Sequence, residues 1–488
     1  MLSGILTPID QIQIPTNSRS RLYPTLLALQ EVFNRKKQVV DLVFEDLLKD
    51  YAHSTNDIID PILEDVLPSA GSIGSAPSDS EFGAPGMTAW QCLVAVTLRQ
   101  AMNCTYDDLE VHFNHNQLLR EFCEIPRFDK STFSESRLGK NCRKISPETI
   151  KAIDNAVIDI SMEIGVEDGK EVRGDSYACK TNIHHPSDTK AIEEACCKVI
   201  LICIRDPRTA PGWRQHKYWK KKIARLAREL VQAKRSKRRD KQIKSASIKQ
   251  AYKNLIDASR EIQEKVFCSW NTMTENENLE ELGYYMCCLE IMIDLAERRT
   301  QHDEVIASSE KIYSIFEPHT ELIHRGKFPI PIEYGHRVFV AEGRSGMILD
   351  HRVMENGVLD QHETLPLLKR LCERYGKLDV LSLDKGYNIK GFNPRDEAVS
   401  VSLFALPSKG YKDKMKKEVE SSEDFVEARK WRAGVESCIG ALMRGNGGDL
   451  CRDMHVRGYR RWVSACVLSR NLITLGRHLI NDDSQQVA

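Results

Sequence analysis

"EVRGDSYACKTNIHHPSD", residues 171–188, sets an aspartate inside a run that otherwise reads as extended chain. Val172, Tyr177, Cys179, Thr181 and Ile183 favour a strand, whereas Asp175 does not: a short carboxylate competes for backbone hydrogen bonds and is depleted in sheets. The plain explanation is an edge strand on which Asp175 faces water. The other is an interior strand whose carboxylate serves a site, and the rest of the chain bears on the choice.

Strand signals return only after residue 330. "YGHRVFVAEG" (334–343) and "GMILDHRVMENG" (346–357) form a hairpin pattern, and "ETLPLLKRLCERYG" (363–376) reads as a helix closed by Gly376. "KLDVLSLDKGY" (377–387) is a short apolar strand that stops at Asp384. "AVSVSLFALPSKG" (398–410) is another buried strand, and "SSEDFVEARKWRAGVESCIGALMRG" (421–445) a long helix. With the opening strand at its head, this order describes a mixed α/β sheet, interrupted by about 140 mostly helical residues.

Two further acids stand out. Asp384 lies where a strand ends, the place where ligands gather in open α/β sheets, although Asp before Gly also simply makes turns. Glu436 lies beside apolar Val435 and Ile439 with Arg432 one turn earlier, which also suits an ordinary i, i+4 ion pair. As a set, the three carboxylates can gather around two magnesium ions, the arrangement used in phosphoryl transfer.

Upstream, residues 20–65 carry Leu26, Leu27, Val32, Val39, Val43 and Leu47 at helical spacing, and "LPSAGSIGSAPSDSEFGAPG" (67–86) reads as a linker. "MTAWQCLVAVTLRQAM" (87–102) and "TYDDLEVHFNHNQLLREF" (105–122) open with Thr88 and Thr105 as N-caps, and "DKSTFSESRLGKNCRKI" (129–145) suits the last helix of a helix-turn-helix-like bundle.

The chain has 488 residues, 41% hydrophobic and 29% charged, room for two to four domains. No apolar run is long enough to span a membrane, the N-terminus does not read as a signal peptide, and the fifteen cysteines contain no CxxC; a cytoplasmic protein is expected. The net charge of zero conceals an asymmetry: residues 205–265 hold 20 Lys or Arg against 6 Asp or Glu. Trp219, Ile223, Leu226 and Leu230 mark an apolar face there. The other face carries "KYWKKK" (217–222) and "AKRSKRRDKQIK" (233–244), with Trp213, Tyr218 and Trp219 interleaved, which suits phosphate neutralisation and stacking unless the face is merely solvated.

Together these stretches resemble the RNase H-like DDE transposases of bacterial insertion sequences, specifically the ISNCY-like group. "DSYACKTNIHHPSD" looks like the first-aspartate motif, "SIFEPHTELI" and "EYGHRVFVAEG" the entry to the hairpin, "LSLDKGY" the second-aspartate motif and "RAGVESCIGALMRGNG" the glutamate helix. "GMTAWQCLVAVTLRQAMNCTYDDLEVHF" resembles the N-terminal helical domain. The resemblance implies an RNase H-like mixed-sheet catalytic domain (169–190 and 331–480), with a helical region (1–66), a linker (67–86), a helix-turn-helix-like DNA-binding domain (87–168) and a basic helical insertion (191–330). Asp175, Asp384 and Glu436 would be the catalytic, metal-binding triad for two Mg2+, with Mn2+ a substitute. Arg432 matches a basic residue that contacts the element end. Two positions depart from the related pattern, with Arg429 where it has tyrosine and Met443 where it has a basic residue, Arg444 standing next door. Lys220, Lys221, Lys222, Lys234, Arg235, Lys237, Arg238 and Arg239 are the expected DNA contacts of the insertion. The implied partners are double-stranded DNA, as terminal inverted repeats and as target, and further copies of the chain in a synaptic complex.

His184, His185 and Asp188 invite a zinc reading, but no cysteine pair or further ligand at suitable spacing joins them. The rival functions are a nuclease or resolvase that uses the same carboxylates without joining, a non-catalytic DNA-binding protein derived from a transposase, and a helical interaction protein.

Overall fold

The computed structural model describes residues 7–49, 86–127, 129–237, 239–270, 272–273, 276–326, 331–355, 357–389, 401–411 and 414–486. The expected linker therefore lies outside the described residues except for Gly86, as does Arg238. The chain is mixed α/β, and its described residues divide into two compact units, one holding those within 7–49, 86–181 and 335–486, the other those within 182–334.

In the first unit the chain starts with helices α1 (Leu22–Arg35), α2 (Val39–Leu48), α3 (Ala89–Ala101), α4 (Tyr106–His115), α5 (Gln117–Phe122), α6 (Glu135–Lys144) and α7 (Pro147–Glu163). Local chemistry sets their starts. Thr88 and Thr105 each close a capping box, accepting from the backbone N–H of Gln91 and of Asp108, and Ser146 with Pro147 opens α7. These helices do not close a core of their own. Leu26, Leu93, Phe113 and Ile153 share one apolar cluster with Val172, Phe339 and Leu381 of the sheet and with Leu468 and Leu472 near the C-terminus.

The second unit contains α8 (Asp188–Arg205), α9 (His216–Arg235), α10 (Lys241–Trp270) and α11 (Asn276–Gln301). Ile223, Leu226 and Leu230 turn inward to meet Ile192, Tyr252, Leu255 and Leu289, as the spacing along α9 predicts.

The sheet has seven strands: β1 (Glu171–Thr181), β2 (Glu321–His324), β3 (Ile332–Gly343), β4 (Ile348–Val353), β5 (Leu378–Ser382), β6 (Val401–Ala405) and β7 (Leu450–Cys451). The order is β2-β3-β1-β5-β6, with β4 also on β3 and β7 on β1. β3 runs antiparallel to both β1 and β4, the hairpin read from the sequence; β5 is parallel to β1 and to β6. β1 is thus an interior strand, and the edge explanation for Asp175 does not hold. At its far end Lys180 lies opposite Gly335, so the chain leaves for the second unit and returns from it at neighbouring positions.

Five helices complete the first unit: α12 (Asp360–Tyr375), α13 (Lys414–Glu420), α14 (Glu423–Arg432), α15 (Val435–Asn446) and α16 (His455–Gln486). Strand alternation divides the sheet into two faces. Val172, Phe339 and Leu381 face the large cluster, while Tyr177, Cys179 and Val340 face Cys438, Leu442 and the fully buried Trp462. All fifteen cysteines are free thiols. Among the described residues no helix is long and apolar enough to cross a membrane.

Candidate functional site

Parallel pairing brings the two aspartates together. Arg173 of β1 is in register with Ser382 of β5, and Asp175 lies on the same face of β1 as Arg173; Asp384 follows two residues after Ser382, just past the end of β5, near enough for its charge to act on Asp175. That face is the one α14 covers, since Ser382 Oγ donates to the Ala428 carbonyl at 3.1 Å. Asp384 is the N-cap of a short 3-10 turn and accepts from the Lys385 N–H at 2.7 Å. Burial raises the Asp175 carboxyl above the usual aspartate range and the negative charge of Asp384 adds to the rise, against the Ser176 N–H and Arg432, which oppose it.

The helical run read as one element from residue 421 to 445 is divided, and the cause is a strand residue. Arg173 Nη1 donates to the Trp431 carbonyl at 2.6 Å, an oxygen that an unbroken helix would offer to Val435. Through the joint the bonds tighten to i, i+3, from Ala433 N–H to Lys430 and from Gly434 N–H to Trp431. Gly434 leaves room for it: a Cβ there would stand 2.1 Å from Arg173 Nη1, and the guanidinium would have to shift. Arg173 is held in turn by Glu342 at 2.7 Å and by the face of Trp431, 5.0 Å from its centroid.

This joint decides where the charges go. Arg432 does not pair with Glu436; its Nη1 reaches Asp175 Oδ2 at 2.9 Å. Glu436 is exposed in the first turn of α15. Among the described residues no three His, Cys, Asp or Glu side chains are grouped to hold a metal ion. Asp175, within β1, and Asp384, just past the end of the parallel strand β5, supply hard oxygen donors, which suit a divalent cation such as Mg2+. Arg444 is exposed toward the C-terminal end of α15.

Sequence reasoning missed Arg173, because its task depends on groups far away in the chain. It also missed Asp360, which begins α12, pairs with Arg337 at 2.8 Å and accepts from Ser176 Oγ at 3.4 Å. Its position in an acidic first turn was the available signal.

In the second unit the basic residues divide by surroundings. Lys221, Arg235, Lys237 and Arg239 are exposed, and Lys220 is half-buried. Lys222 pairs with Glu261 at 2.5 Å and lies over the Trp219 ring. Lys234 donates to Thr189 Oγ1 at 3.0 Å and sits 4.6 Å from the centre of the Tyr252 ring; burial lowers its pKa. Of the three interleaved aromatics, Trp213 is fully buried and Trp219 packs on the core, leaving Tyr218 exposed. His185 packs edge-on against Tyr334, and Asp188 pairs with Arg299.

No protein-family model, curated protein or solved structure matches this chain.

Proposed function

We propose that the chain is a DNA transposase with an RNase H-like catalytic domain, cleaving at the terminal inverted repeats of an insertion sequence and joining the 3′-hydroxyl ends to target DNA. The observation that carries this reading is the meeting of Asp175 with Asp384, just past the end of the neighbouring parallel strand, Asp175 being in an interior strand of a mixed sheet. Sheets deplete aspartate, and its presence there calls for a role that packing does not supply. The motifs "DSYACKTNIHHPSD", "LSLDKGY" and "RAGVESCIGALMRGNG" add the family resemblance.

Asp175 and Asp384 would hold divalent magnesium, with Glu436 as the third carboxylate. The bound metal would supply activation of the attacking oxygen and stabilisation of the leaving one. In the first step water attacks the phosphorus and the 3′-oxygen departs as a hydroxyl; in the second that hydroxyl attacks a target phosphodiester, whose own 3′-oxygen departs as a hydroxyl. The exposed cations of α9 and of the segment after it would neutralise backbone phosphates, and Arg432 and Arg444 would meet DNA near the cleaved bond. Synapsis of two ends implies more than one copy of the chain.

The test is Mg2+-dependent cleavage of DNA that flanks the coding sequence, followed by joining of pre-cleaved ends. Asp175→Asn and Asp384→Asn should abolish both, and Glu436→Gln should lower cleavage by at least about a hundredfold. Cleavage without joining would identify a nuclease or resolvase. The Arg432–Asp175 pair favours one second reading, a DNA-binding protein descended from a transposase, whose carboxylate is neutralised within the protein. Such a protein binds the ends and cleaves nothing in either metal.

A further inference from the structure

Arg432 occupies the oxygen that a cation on Asp175 would need. Its guanidinium is 2.9 Å from Oδ2, and both side chains are largely buried, 16% and 24% exposed. Asp175 Oδ1 accepts from the Ser176 N–H at 2.8 Å, so both carboxylate oxygens are engaged. A divalent ion binding Oδ2 at roughly 2.1 Å would compete there with a guanidinium carrying the same sign of charge. The neighbouring residue is held from the other side: Arg173, on the same face of β1 as Asp175, grips the Trp431 carbonyl. Consecutive residues at the end of α14 are thus fastened to β1 by two arginines, one from each element. Beyond them lies the joint at Ala433 and Gly434, where i, i+3 bonds replace the regular helical ladder.

We propose that Arg432 is a resident occupant of the cation site, a latch that neutralises Asp175 and pins the end of α14 to β1 until a divalent ion takes Oδ2. This rests on the metal-binding reading of Asp175 and Asp384. Release of Asp175 frees the guanidinium for a DNA phosphate and loosens α14 at the joint that separates it from Glu436. Metal entry and DNA contact are then coupled through one side chain: each competes with the latch, so each favours the other.

The experiment is calorimetric titration of the full chain with MnCl2, comparing wild type, Arg432→Gln and Asp175→Asn. The latch requires Arg432→Gln to bind Mn2+ about tenfold tighter than wild type or better, and Asp175→Asn to lose that binding. Hydrogen exchange of wild type is the companion measurement, informative even if Arg432→Gln fails to fold: saturating Mn2+ should speed exchange across residues 423–432. Equal affinity in wild type and Arg432→Gln, with loss in Asp175→Asn, overturns the latch and leaves the metal reading standing. Exchange of residues 423–432 that bound Mn2+ leaves unchanged also overturns the latch. No binding by wild type or Arg432→Gln at millimolar Mn2+ overturns both.

Discussion

Asp154 and His351 are buried side chains whose ionisation opposes folding from opposite directions. Burial pushes the Asp154 carboxyl up to about 7, although Asn471 donates to it at 2.8 Å, and pushes the His351 imidazole down to about 4. Between the ordinary aspartate pKa and 7 the unfolded chain gives up a proton that the folded chain keeps, so Asp154 makes stability fall with rising pH by about 1.4 kcal/mol per unit. Between 4 and the ordinary histidine pKa the unfolded chain takes a proton that the folded chain refuses, so His351 makes stability rise at the same rate. The two slopes cancel in the range they share. Asp154→Asn should therefore uncover a climb in the urea midpoint from pH 4 to 6.5, and His351→Gln a decline from pH 4 to 7; flat profiles in both variants would refute the assignment. At this scale the sequence was readable where a residue violates the expectation of its own element. Asp175 announces itself as a carboxylate in a strand. Arg173 does not, because an arginine in a strand is ordinary until the carbonyl it reaches is known.

The helices show the same division one level up. Thr88, Thr105 and Gly376 mark boundaries that the structure keeps, since each acts within a few residues of the end it caps. The joint between α14 and α15 was not readable: Gly434 is tolerated in many helices, and the side chain that breaks the ladder comes from 258 residues upstream of the carbonyl it takes. Gly434→Ala puts a methyl group against the Arg173 guanidinium and should cost about 1–3 kcal/mol, measured by urea denaturation. In an Arg173→Ala background the same substitution should cost much less. Equal costs in the two backgrounds would mean that the joint has another origin.

For the molecule as a whole, the concentration of charge in residues 205–265 was plain in the sequence, whereas the division of labour among those charges was not, since it depends on which side chains are committed to the core. Neutralising Lys221, Arg225, Arg228, Lys237 and Arg239, all exposed, should weaken DNA binding and flatten its salt dependence by up to about 0.9 in log–log slope for each phosphate no longer neutralised. Lys234→Gln should instead lower the melting temperature and leave the slope unchanged, because Lys234 is packed on Tyr252. A slope that responds equally to both sets would assign the surface wrongly. The joints of the second unit have a different kind of consequence. Lys180 and Gly335 face each other across one antiparallel pair, so the intervening residues stand where a tight turn of two residues would otherwise close the hairpin. In a gene this is a splice point: a segment can be gained, dropped or exchanged there in a single in-frame event, with the register of every remaining strand preserved. A variant with that segment exchanged would replace a whole folded body, together with β2, and keep the pairing of β1 with β5 that positions Asp175.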